Sequence, residues 1–203
     1  SVRFDTCPEI AAPDAMSKAE LAELLAFARG LGFENIPLLQ TLAHNAYVLR
    51  HEKYYYLSEE PKFLELYCLS RPETGQFLIK LADEIVSLFG DIHYFHIGAD
   101  EAWAIGRVCK TCKAHVEQSG AASLITKHLT PITSSLLARG VRPVMWADMV
   151  HTHPELKTLL DRRTVMADWY YAQPSEAFRT IGGVRSKTDV FTDAVALRNS
   201  GFE

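Results

Sequence analysis

The chain has 203 residues, 48% of them hydrophobic, with a formal net charge of −4 and four cysteines. That is enough apolar sequence for a sizeable core, and one domain is the natural expectation. Charge spread without long runs argues against a nucleic-acid partner, no apolar run reaches the ~18 residues of a membrane helix, and four cysteines do not make a disulfide scaffold, so reduced thiols and a cytoplasmic location are expected.

In chain order, "SKAELAELLAFARGLG" opens with Ser17 and carries Glu20 three residues on, which predicts a capping box and a helix. Leu21, Leu24, Leu25 and Ala28 form its apolar stripe, and Gly30 and Gly32 supply the stop. "NIPLLQTLAH" and "LELYCLS" read as strands. "RPETGQFLIKLADEIVSLFG" predicts an amphipathic helix ending at Gly90, and "IHYFHIGA" a strand. "AASLITKHLTPITSSLLARG" predicts a helix kinked or broken at Pro131. "VRPVMWADM" is a strand, "HPELKTLLD" a short helix and "RTVMADWYY" a strand. "PSEAFRTIGG" reads as a helix and "TDVFTDAVAL" as a last strand.

Strands apolar on both faces, alternating with helices, imply a parallel sheet with helical crossovers. A doubly wound sheet and a (β/α) barrel both fit that rhythm. No G-x-G-x-x-G occurs, which counts against a dinucleotide-binding sheet. Polar and aromatic residues gather at the carboxyl ends of the expected strands: Gln40 and His44, Asp100 and Glu101, Trp146 and Asp148, Trp169 to Tyr171, and Asp193. Active sites of barrels are assembled at those ends, so the barrel is preferred.

The stretch "YFHIGADEAW" carries the sharpest signal. Two adjacent carboxylates, Asp100 and Glu101, follow a buried-looking strand and a small-residue turn. Repulsion and desolvation in such a place are expected to keep one of them protonated near neutral pH. A protonated carboxyl can donate to a leaving oxygen, while its ionised neighbour orients a polarised group. Tryptophans nearby offer flat walls for sugar rings. Together these features suggest glycoside hydrolysis.

"FHIGADEAW" resembles the His-x-Gly-Gly/Ala-Asp-Glu signature of glycoside hydrolase family 20, the β-N-acetylhexosaminidases. "IPLLQTLAHNAYVLRHEKYYYLSE" resembles the family's second-strand segment, especially in the branch containing hexosaminidase D. The run from "YCLSRPETG" through "FHIGADE" resembles its third strand, helix and fourth strand, and "PVMWADM" its fifth. The resemblance implies a (β/α)8 barrel, here incomplete with strands two to seven, filling residues 1–203 as a single partial domain. It implies exo-hydrolysis of terminal β-linked N-acetylglucosamine or N-acetylgalactosamine, retaining and substrate-assisted, without a cofactor. Glu101 matches the general acid/base, and Asp100 the residue that orients the 2-acetamido group. His44 matches a histidine supporting the acids, and Trp146 and Trp169 match walls of the N-acetyl pocket. Tyr170 or Tyr171 would bind the acetamido oxygen, with Tyr171 preferred because it shares a strand face with Trp169. Asp148 and Asp193 would bind sugar hydroxyls. Ala147 stands where related enzymes often carry an acid. The open edges of an incomplete barrel invite self-association. The alternative reading is a non-catalytic carbohydrate-binding or remnant barrel.

Two groups invite a metal reading. His93 and His96 lie three apart in a strand and face opposite sides, so one site cannot take both. "CKTCKAH" would set Cys109, Cys112 and His115 on one helix face, but no second Cys pair follows at zinc-finger spacing, so no metal is expected.

Overall fold

Apolar residues of β1 (Tyr94–His96), β2 (Arg142–Trp146) and β3 (Val165–Ala167) build a parallel sheet in that order. In register, Phe95 stands beside Pro143 and Met145 beside Met166. The computed structural model describes residues 2–60, 62, 64–169, 178–181, 184–187 and 192–203.

A single bridge extends this wall beside β1, and one hydrogen bond extends it beside β3. Leu38 bridges His96 in parallel, with the Leu39 N–H donating to the His96 carbonyl and the His96 N–H to Pro37. At the other edge the Met166 N–H donates to the carbonyl of Glu203. "NIPLLQTLAH" therefore lies directly against β1, although only one bridge forms. No strand from "LELYCLS" comes between them: Tyr67 instead bridges Ser58 antiparallel and donates its N–H to the Leu42 carbonyl.

The helices follow their start and stop signals. In α1 (Lys18–Gly30) the Ser17 side chain accepts from the Glu20 N–H, and Glu20 accepts from the Ser17 N–H. Leu21 and Leu25 are buried, while Leu24 and Phe27 of the same helix face solvent. A single turn, α2 (Ala46–Leu49), follows His44. α3 (Pro72–Phe89) begins on a proline, whose missing N–H costs nothing in the first turn. It ends at Gly90, whose φ of 75° a side chain would resist. α4 (Lys110–Ala138) runs without interruption through Pro131 and breaks its helical geometry at Gly120 instead, at φ 80° and ψ 159°. α5 (Asp148–Thr152) and α6 (Leu156–Leu159) fill the crossover from β2 to β3.

α3 and α4 pack together on the sheet. Leu78 and Leu81 from α3, Phe95 and Ile97 from the first strand, and Leu124, Ile125 and Leu129 from α4 are fully buried. Each contributes roughly 1.5–3 kcal/mol by leaving water.

The last quarter departs from expectation. Residues expected as the helix "PSEAFRTIGG" contain β4 (Phe178–Ile181), which pairs antiparallel with β5 (Val184–Lys187). The expected seventh strand, "TDVFTDAVAL", instead holds most of α7 (Thr192–Asn199). Thr192 and Asp193 open that helix, and an apolar run this short carries no decisive period. Among the described residues no helix is long and apolar enough to cross a membrane.

Candidate active site

The carboxyl end of β1 runs into a turn with unusual backbone. Gly98, Ala99 and Glu101 have φ of 61°, 67° and 50°. The left-handed region costs a residue with a side chain about 1–2 kcal/mol, so the surroundings must hold this turn in place. They do so through hydrogen bonds on every side. The Ile97 N–H donates to Val144, and the Trp146 N–H donates back to the Gly98 carbonyl at 2.9 Å. The Gly98 N–H donates to Nδ1 of His96 at 3.0 Å. The Glu101 N–H donates to Oδ2 of Asp148 at 2.9 Å. At Gly98 there is no room for a side chain: a Cβ would sit 1.7 Å from Oε1 of Gln40.

A second loop brings the histidine. His44 also has positive φ, 60°. The Thr41 hydroxyl donates to the Ile97 carbonyl at 2.7 Å, which ties this loop to the end of β1. Fully buried Asn45 donates to the carbonyls of Leu42 and Ala43. Held this way, His44 Nε2 lies 3.4 Å from Oδ2 of Asp100 and 3.3 Å from Oε2 of Glu101. Asp100 is the deeper acid, with 17% of its side chain exposed against 43% for Glu101.

Asp148, expected from the sequence to bind sugar hydroxyls, is 1% exposed. Burial pushes its carboxyl above the ordinary range; the Glu101 N–H pulls it down, the Asp100 charge pushes it up, and the Trp169 side chain, through a hydrogen bond, pulls it down. The residue thus ties the half-buried Trp169 to the backbone of Glu101. Trp146 packs against His96, with ring centroids 4.4 Å apart. His96 is buried, and burial lowers its pKa, so it accepts from Gly98 as a neutral imidazole. Asp193 begins α7 rather than ending a strand, and it gathers with His151 and Asp168, donor atoms within 4.8 Å of one another. His151 and Asp168 are 3.2 Å apart. Tyr170 and Tyr171 lie outside the described residues.

The structure thus brings His44, Asp100 and Glu101 together, with Asp148, Trp146 and Trp169 behind them. The support given by His96 and the packing of Gln40 against Gly98 are not visible in the sequence. The Gln40 contact joins two different segments, which no local spacing reports, and the His96 bond, though only two residues long, depends on the left-handed turn that follows it. Of the two metal readings, His93 is exposed beside Glu34 while His96 is buried, as alternation requires. His115 turns to Ser123 at 3.1 Å, away from Cys109 and Cys112.

Residues 7–182 match the model of glycosyl hydrolase family 20, catalytic domain. The chain belongs to glycosyl hydrolase family 20. Hexosaminidase D of Bos taurus is 30% identical over 148 residues, covering 71% of this chain and 42% of that relative. Hexosaminidase D of Homo sapiens is 30% identical over 147 residues, covering 70% and 30%. The chain therefore spans less than half the length of these curated relatives. Among solved structures, the Flavobacterium johnsoniae chitobiase superposes with a TM-score of 0.72 at 18% identity, covering 99% of this chain and 30% of that one. Dispersin B superposes at 0.59 with 21% identity, covering 77% and 43%. These likenesses establish a barrel-type family 20 fold, of which β1 to β3 form part of the wall.

Proposed function

We propose that the protein acts as a β-N-acetylhexosaminidase, removing terminal β-linked N-acetylglucosamine or N-acetylgalactosamine from glycans with retention and without a cofactor. On this reading the chain is one partial barrel domain, and the substrate's own 2-acetamido oxygen attacks the anomeric carbon. Glu101, the more exposed acid, donates its proton to the leaving oxygen and later takes one from the water that opens the oxazolinium intermediate. Asp100, deeper in the site, accepts from the acetamido N–H and balances the positive charge that develops there. His44, within reach of both, fixes their relative orientation. Trp146 and Trp169 wall the N-acetyl pocket, and Tyr171 is proposed to bind its oxygen.

The observation that carries the reading is the turn at 98–101. Its backbone sits in a conformation that side chains resist, and it presents two neighbouring carboxylates to one histidine. Such strain persists where surrounding structure maintains it, and it concentrates at working sites. Relatives named hexosaminidase D, matched over 148 and 147 residues, support the same choice of chemistry.

The test is Glu101→Gln assayed on two aryl N-acetyl-β-glucosaminides, alongside a melting curve to verify folding. Loss of the general acid is expected to cost about 10²-fold or more with a poor leaving group. The loss with a good leaving group, which needs no proton, is expected to be far smaller. Equal losses on both substrates from a folded variant would overturn the assignment.

A further inference from the structure

The loop that leaves the catalytic turn ends in a cluster of sulfur. Cys109 caps the start of α4, and Cys112 lies one turn inside it. The third member, Cys68, comes from the segment before α3, more than forty residues earlier. Its Sγ lies 3.5 Å from Sγ of Cys109 and 3.6 Å from Sγ of Cys112. All three donor atoms fall within 4.8 Å of one another. Cys68 and Cys112 are buried and Cys109 is half-buried. All are free thiols.

We propose that Cys68, Cys109 and Cys112 bind a zinc ion, which clamps the loop between Glu101 and α4 to the segment that precedes α3. Thiolates hold zinc at about 2.3 Å in a tetrahedron, which places neighbouring sulfurs about 3.8 Å apart. The observed 3.5 and 3.6 Å are close to that spacing. They are far from the bonded distance of a disulfide, about 2.05 Å. Soft sulfur donors select zinc over calcium or magnesium. Of Cys109 and Cys112, Cys109 is the N-cap residue of α4, where the helix dipole favours a negative sulfur. Exposed Arg107, Lys110 and Lys113 flank the two cysteines and offset their charge.

Three thiolates leave one tetrahedral position for a water. Glu59 lies in the same cluster: 3% exposed, next to Cys112, and accepting from the Val108 N–H at 3.5 Å. Its Oε2 is buried and has no hydrogen-bond partner among the described residues, so it can accept from such a water. A cavity of about 290 Å³, lined in part by Glu59, Arg107 and Val108, lies beside this loop.

The zinc proposal is independent of the hydrolase reading, because its test measures metal. The chain is equilibrated with zinc under reducing conditions, desalted, and analysed for metal by mass spectrometry. About one zinc per chain is expected, protecting three of the four cysteines from a thiol reagent until a strong chelator is added. Cobalt(II) in its place should give the intense thiolate charge-transfer absorption and visible bands of a tetrahedral site. C68S should lower bound zinc at least tenfold; C7S, which alters the remaining cysteine, should keep it. Substoichiometric zinc in the folded wild-type chain would overturn the proposal. So would octahedral cobalt spectra, or an intact mass about 2 Da low under these conditions, showing a disulfide.

Discussion

Asp148 shows how a single side chain can matter through the backbone it holds. Its Oδ2 takes the N–H of Glu101, which the left-handed turn would otherwise leave unpaired. The bond is only partly buried, and a hydrogen bond of this kind contributes about 0.5–1.5 kcal/mol. Asp148→Ala is therefore expected to lower stability by that amount in a denaturant titration. It should also reduce kcat far more than it raises KM, because Glu101 loses its support while Asp100 and His44 remain. Asp148→Asn keeps an oxygen for the Glu101 N–H and should recover most of the stability. Full stability in the alanine variant would show that the turn holds itself. The acid pair itself is legible in the sequence, because Asp100 and Glu101 are adjacent and follow an apolar strand. The supporting role of Asp148 is not, because it arises only when the end of β2 packs against the end of β1. Cys68 is hidden for the same reason.

Elements whose signals are local are readable, and elements defined by pairing are not. Ser17 with Glu20, and Pro72 with Gly90, mark α1 and α3 almost to the residue. The strands are shorter than their sequence suggests, since their apolar flanks extend past the few residues that pair with neighbours. Pro131 is the expected break in α4, but it fits within the helix while Gly120 leaves it. In the sequence, Gly182-Gly183 is a two-residue hairpin signal that outweighs the helix-favouring composition before it. Glycine also gives this scale its prediction, as a matched pair. Gly75 lies in the first turns of α3, with nothing within 4 Å of where a Cβ would stand. Gly75→Ala should stabilise the fold by about 0.5–1 kcal/mol through helix propensity. Gly98→Ala meets both φ of 61° and the Gln40 side chain, and should cost about 2 kcal/mol or more. Thermal melts of the two variants are expected to move in opposite directions. A Gly98→Ala melt at or above wild type would mean that the turn is not constrained as described.

For the whole molecule, the response to acid is set first by a histidine between the sheet and its helices. His128, on the buried face of α4, donates from Nε2 to the carbonyl of Thr41 at 3.0 Å. That bond joins α4 to the loop whose Thr41 hydroxyl holds the end of β1. Burial depresses the His128 pKa from 6.5 to about 4, and the Thr41 carbonyl offsets this only in part. Between those values the unfolded chain binds a proton that the native chain refuses. Stability from this group is therefore complete above pH 6.5 and is lost as the pH falls toward 4, by at most about 3 kcal/mol. Burial lowers His96 and His153 as well, so they add to the same slope. Glu84 acts later. Burial raises its pKa, but the N–H groups of Asp5 and Thr6, together with Lys18, bring it down to about 2, so its contribution disappears only as the pH falls from 4.5 toward 2. Denaturant midpoints from pH 7 to pH 4.5 should fall steadily for the wild-type chain. His128→Gln, which keeps a donor for Thr41 but cannot take a proton, should start less stable at pH 7 and fall less steeply. Parallel slopes for the two proteins would remove His128 from the acid response and leave His96 and His153 to account for it.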